Sequence, residues 1–204
     1  MAVLLAEVAD GRHPPADGRV TVMRPPGDVQ GVLAFTSHHV VVADVGPDWV
    51  RRRLRPGDLS APLSPPFLGA LAEATGRTVT SVDAVMVGPP ADPADASDLD
   101  LTEIAPGVSA EKYRTGVRAW ACVGGAVELG RGLAGRWEVT VEVEDEARGR
   151  GLGRTLFAAA RHLVAGIGGP EVPVWAQVSP GNVASVRALL EAGYRPGGAE
   201  ALLL

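Results

Sequence analysis

The densest chemistry in the chain lies at residues 144–155, EDEARGRGLGRT, where acids give way to Gly149, Gly151 and Gly153 interleaved with Arg148, Arg150 and Arg154. A polar exit from a strand that runs through alternating glycines into a helix suits an anion. Backbone N–H groups in a first helical turn lack internal partners, and the helix dipole places partial positive charge there. Glycines let a phosphate approach without a Cβ in the way. Two common phosphate loops fail the spacing test. A P-loop needs G-x-x-x-x-G-K-[ST], and no Lys lies near; a dinucleotide fingerprint needs G-x-G-x-x-G, whereas these glycines are spaced by two throughout. What remains is R-x-x-G-x-G, carried by Arg148, Gly151 and Gly153.

The elements that must position this loop are legible around it. Before it, RWEVTVEVE alternates cleanly, so Trp137, Val139, Val141 and Val143 point one way and Glu138, Thr140, Glu142 and Glu144 the other. After it, Leu152, Leu156, Ala160 and Leu163 form the apolar stripe of a helix that runs to Gly166. Residues 172–178 predict a strand with Pro173 near its start, and Pro180-Gly181-Asn182 opens a last helix. That helix carries Val183, Val186, Leu189 and Leu190 on one side and ends at Gly193. Upstream, residues 116–123 and 125–130 predict two strands joined by a glycine turn.

The amino-terminal part is punctuated by Pro14-Pro15 and Pro25-Pro26, with one short strand at Val20–Met23. A hairpin is expected over 31–43, a short helix over 47–55 with Pro47 first, a helix over 67–76 stopped by Gly76, and a strand over 78–87. The stretch 88–100, GPPADPADASDLD, has the composition of an exposed connection and divides the chain into expected domains 1–90 and 91–204.

With strand, R-x-x-G-x-G loop and helix in that order, the sequence resembles the GNAT acyltransferase superfamily, in which the motif grips the pyrophosphate of acyl-coenzyme A. A second block, VWAQVSPGNVASVRALLEAGY, resembles the family's strand, Asn-bearing loop, helix and closing Gly-aromatic pair, here Asn182, Ser185, Gly193 and Tyr194. The resemblance covers about residues 117–204. It implies an α/β GNAT fold, a mixed central sheet with splayed parallel strands flanked by helices. It further implies acetyl-coenzyme A (acetyl-CoA) as co-substrate, with no metal. The pantetheine arm would pair along Val141, Glu142 and Val143. The pyrophosphate would rest on Arg148, Gly149, Arg150, Gly151, Leu152, Gly153 and Arg154, with Asn182 and Ser185 reaching the cofactor from the last helix.

A lysine-like amine has a pKa of about 10.4, so at neutral pH only about one molecule in 10³ has a free lone pair, and a general base contributes roughly 10²–10⁴ in rate. Glu138, ten residues before Arg148, occupies the position where several members of the family carry a catalytic Glu; the other reading is a solvated acid on a polar strand face. Many members place a proton-donating Tyr seven residues after the motif Asn, and here that position is Leu189. Tyr194 falls at the family's core aromatic. Asn182 reads either as a cofactor contact or as a helix N-cap, and Ser185 and Arg187 either as cofactor contacts or as exposed surface. The function expected is acetyl transfer to a primary amine by direct attack, the alternative being a non-catalytic acyl-CoA sensor or scaffold. The amino-terminal part is either a degenerate copy of the same fold or a substrate-facing cap.

Composition sets the outer bounds. Nineteen basic against 24 acidic residues give a net charge of −5, which opposes a role on duplex nucleic acid. The single cysteine, Cys122, excludes an internal disulfide or a thiolate cluster, and reads as a small apolar residue in a cytoplasmic protein. The amino terminus meets Glu7 and Asp10 before any membrane-length apolar run. His38 and His39 point to opposite strand faces and read as structural, and His162 reads as solvated on its helix. The partners expected are a small-molecule or protein amine and a second copy of the chain, with neither nucleic acid nor membrane.

Overall fold

Residues 1–55, 57–92, 98–107 and 113–204 are described by a computed structural model, which divides into two compact units. The first holds Met1–Val85 together with Gly197–Leu204, and the second holds Met86–Pro196. The carboxy-terminal strand therefore ends in the first unit.

In the first unit, helix α1 (Ala2–Ala9) buries Leu5, Val8 and Ala9, a spacing of three and four along strong helix formers. The expectation of loops before Val20 missed it. Strands β1 (Val20–Met23), β2 (Gln30–Phe35) and β3 (His38–Val42) follow, β2 and β3 forming the expected hairpin and β1 running parallel to β3. Helix α2 is shorter than expected, Pro47–Arg51, and α3 spans Pro65–Thr75 before a left-handed Gly76. Strand β4 (Val79–Gly88) begins in this unit and its last residues fall in the second. The last strand, β10 (Arg195–Leu203), lies between β2 and β4 in the order β1-β3-β2-β10-β4. Its Arg-Pro-Gly-Gly start carries no strand signal; pairing of Ala199–Leu203 with β2 and of Leu204 with Thr78 holds it extended. Val32, Val41, Phe67, Leu71 and Leu203 form the core between this sheet and α3.

The second unit contains a mixed sheet. Strands β5 (Thr102–Ile104), β6 (Thr115–Cys122), β7 (Gly125–Arg131) and β8 (Trp137–Val143) make an antiparallel meander. Strand β9 (Val174–Val178) then lies parallel to β8, with β4 on its other side. Helix α4 (Leu152–Gly168) packs on β7 and β8 and against α5 (Val183–Glu191). Its completely buried Leu156, Ala160 and Val164 repeat every four residues, as an amphipathic helix on a sheet requires. His162, expected on the solvated side, is half-buried with Nε2 shielded from water. On α5 only Leu189 is buried among the described residues of the helix; Val183 and Leu190 are exposed.

Tyr194 closes the α5 end of this core. It is 1% exposed, its ring meets Phe157 edge-on at 5.8 Å, and its hydroxyl donates to the Phe157 carbonyl at 3.1 Å. Burial pushes the phenol pKa well up, so the residue is a neutral core aromatic, as the sequence implied. Tyr194→Phe retains the ring and removes one buried hydrogen bond, the Phe157 carbonyl keeping its place in the α4 ladder, so stability is expected to fall by about 0.5–1.5 kcal/mol. Urea unfolding checks this: the midpoint should drop with an unchanged slope.

Candidate functional site

Strand β8 runs through residues 144–151 into α4, and this junction builds the site. Gly149 and Gly151 have φ of +73° and +85°, a conformation that residues with a Cβ rarely adopt, and Gly151 is the N-cap of α4. No side chain caps that end, so the first-turn N–H groups face outward without a helical partner. A cleft of about 1010 Å³ opens in front of them. Val141, Glu142 and Val143 of β8 line it, as do the turn residues Arg148, Gly149 and Gly151, with Leu152, Gly153 and Arg154 of α4. Asn182 and Ser185 line it from the α5 side.

Of the residues expected to contact a cofactor, Arg150 alone does not line the cleft. The other two loop arginines differ. Arg148 pairs with Asp145 at 2.7 Å and donates to the Val143 carbonyl at 3.2 Å, whereas Arg154 lines the cleft and, among the described residues, forms no ion pair. Arg187 also lines it, 3.7 Å from Glu191, a residue the sequence left open as mere surface. Asn182 accepts from the Ser185 N–H at 3.1 Å and so is a helix cap that also lines the cleft. Cys122 is a further lining residue that composition could not place; burial raises its thiol pKa and it donates to the Gly125 carbonyl.

Strands β8 and β9 pair only at Trp137↔Val174 and Glu138↔Trp175 and diverge beyond, the splay that the resemblance implied. Glu138 sits at the last pair and is 0% exposed. Its Oε1 accepts from Arg136 Nε at 2.8 Å and from the Leu133 N–H at 3.3 Å; its Oε2 accepts from Arg114 Nε at 3.1 Å. Burial pushes the Glu138 pKa up, but the guanidiniums of Arg136 and Arg114 outweigh it and hold the carboxyl below the usual range. The group is a charged, doubly paired, fully buried acid outside the cleft lining, not the solvated acid of an alternating strand. Gly132 makes room for it, since a Cβ there would lie 2.1 Å from the carboxyl carbon. Leu189, at the family's Tyr position, is 1% exposed and carries no proton donor.

The chain matches no family profile and no curated relative by sequence. In three dimensions it is similar to a GCN5-related N-acetyltransferase from Kribbella flavida, at 19% identity and a TM-score of 0.41, over 68% of this chain and 63% of that one. It is also similar to a GCN5-related N-acetyltransferase from Sphaerobacter thermophilus (17%, TM-score 0.41, 69% and 56%). A third is a tandem GNAT protein from the clavulanic acid biosynthesis pathway (19%, TM-score 0.41, 69% and 58%). The chain spans under two thirds of the length of each.

Away from the cleft, His38 is held between Asp17 at 2.9 Å and Thr21 at 3.0 Å, and His39 is buried, which lowers its pKa. Among the described residues no group of three His, Cys, Asp or Glu side chains could hold a metal, and no helix is long and apolar enough to cross a membrane.

The pairing at Glu138 makes a pH-dependent prediction. Glu138→Gln leaves two buried guanidiniums short of a counter-charge and is expected to cost about 3–5 kcal/mol. A carboxyl held below its unfolded pKa stabilises above that value, and the gain is lost as pH falls through the folded one. The difference between wild type and variant should thus be constant from about pH 6 to 8 and shrink only below about pH 4.3. Denaturant unfolding across pH checks it.

Proposed function

We propose that the second unit is an acyltransferase of the GNAT type, taking an acyl group, acetyl in the simplest case, from acyl-CoA to a primary amine. The observation that carries this reading is the cleft itself. An uncapped helix N-terminus, a turn with two left-handed glycines and Arg154, which has no ion pair among the described residues, lie at the outer end of two parallel strands that separate. The N–H groups and Arg154 suit a pyrophosphate, and the unpaired edge of β8 beyond Glu138 offers backbone groups to an amide-bearing arm, as an added strand would use them.

In this reading the amine nitrogen attacks the thioester carbonyl carbon, the C–N bond forms as the C–S bond breaks, and the nitrogen's proton passes to water. A thiolate of ordinary pKa, about 8.5, leaves without an internal acid. Glu138 is not the base here: it holds Arg114 and Arg136, and the amine loses its proton to solvent. The absence of a phenol at Leu189 and the burial of Glu138 also favour a second reading, a module that binds acyl-CoA without turnover. The acceptor in this reading is an amine of a small molecule or protein in the cytoplasm.

Titration calorimetry with acetyl-CoA separates these readings from a failure of both. Arg154→Ala should weaken binding about tenfold or more, because a charge-assisted contact goes, while Arg150→Ala should leave it nearly unchanged. Equal effects at the two positions would count against the cleft as the phosphate site. Thiol release with a panel of amines then distinguishes transfer from binding alone.

A further inference from the structure

Strands β1 and β3 run parallel, and the chain leaves their carboxyl ends side by side. Met23↔Val42 is the last pair of the ladder, and the Ala43 N–H donates to the Met23 carbonyl at 3.1 Å. The first residues past that bond carry opposite charges, Arg24 on one exit and Asp44 on the other. Between the exits lies a cavity of about 410 Å³, a size that suits a small molecule, with every lining residue in the first unit. Its apolar walls are Val22 and Val45, which pack on the core, with Met23 and Pro47; Arg24 and Asp44 supply the charged side chains.

Both charged residues are positioned and both are left open to a ligand. Arg24 precedes Pro25, which confines its backbone to extended conformations, and among the described residues its guanidinium has no ion pair or hydrogen bond. Asp44 is exposed, yet buried Gln30, 3% exposed, clamps it. The Gln30 amide donates from Nε2 to Asp44 Oδ2 at 3.2 Å, and Gln30 Oε1 accepts from the Asp44 N–H at 3.2 Å. Asp44 Oδ1 takes part in neither bond. Paired strands lie about 4.8 Å apart, so the guanidinium and carboxylate start from neighbouring positions, but they form no bridge to each other among the described residues. We propose that this cavity binds a small zwitterion of the α-amino acid class. Its carboxylate meets Arg24, its ammonium meets Asp44, and its apolar side chain lies against Val22, Met23, Val45 and Pro47. A simple amine or a simple carboxylate would satisfy one charge and leave the other facing it. Gln30 is a positioning residue: it holds the Asp44 carboxylate in one orientation, which lowers the ordering cost of binding. The site is independent of the acyl-CoA reading, which concerns the second unit.

Calorimetry on the full chain tests this with L-valine and L-leucine. Each is compared with the amine that lacks its carboxylate and the acid that lacks its ammonium, isobutylamine and isovalerate in the case of valine. At least one amino acid should bind with a Kd of about 1 mM or tighter, and its two analogues about tenfold or more weakly. Arg24→Gln should reduce the amino acid to the affinity of its amine analogue, and Asp44→Asn to that of its acid analogue. Gln30→Leu should erode the preference over the acid while keeping the preference over the amine, a split that a general loss of structure would not produce. Thermal melting checks folding, and if Gln30→Leu does not fold, the two variants at exposed side chains carry the test. Methyl NMR signals of Val22 and Val45 should shift on titration. No binding at millimolar amino acid, equal binding of an amino acid and its singly charged analogues, affinity unchanged in both Arg24→Gln and Asp44→Asn, or shifts confined to other residues each overturns the proposal.

Discussion

The carboxylate of Glu138, buried at the last point where β8 and β9 pair, is the interaction on which the second unit depends. Two guanidiniums reach it from different parts of the chain: Arg136 from the turn just before β8, and Arg114 from the residue just before β6. Isolating a carboxylate from water is costly unless good donors surround it, and here Arg136, Arg114 and the Leu133 N–H do so. The pair also sets direction. By holding Arg114 at this point, Glu138 aims the remaining guanidinium donors across the gap at Thr140 and Gln177, so the place where strand pairing ends is also where side chains take over.

From that anchor the rest of the cleft follows outward along β8. The strand keeps β7 as a partner along its whole length but loses β9 after two pairs, so its free edge faces open space up to the turn. The turn needs left-handed backbone at Gly149 and Gly151 to swing the chain into α4, and that same conformation brings an uncapped helix end to the cleft. Charge at the outer end is partitioned by geometry. Arg148 is engaged locally by Asp145, Arg150 does not line the cleft, and Arg154 lines it and forms no ion pair among the described residues. A count of three arginines could not have ranked them.

Glu138 shows most clearly where pattern reading stops. Strict alternation in WEVTVEV signals one covered and one solvated face, which holds for Glu142 and fails for Glu138. The strand is flanked on both edges at its start and covered on both faces there, while its far end opens into the cleft. One strand thus passes from interior to surface along its length, and a period of two cannot encode that change. Arg114 was missed for a related reason. It lies many residues from the loop and helix that carry the motif, in a stretch with no periodic signal, and only the fold brings it to Glu138.

The residues by themselves determined the local elements of the second unit, because alternation, helical stripes and glycine stops act over a few neighbours: β6 to β9, α4 and α5 fall close to where their patterns predict. They also determined the chemistry of the loop, since an Arg- and Gly-rich strand-to-helix turn suits an anion in any fold. Tertiary structure alone decided which side chains face the cleft, that Glu138 is a buried counter-ion, that β10 is a strand despite its Arg-Pro-Gly-Gly start, and that Arg114 bridges two separating strands. Those outcomes turn on burial and on contacts between residues far apart in the chain, whose energies exceed local propensity and leave no mark on any short window of sequence.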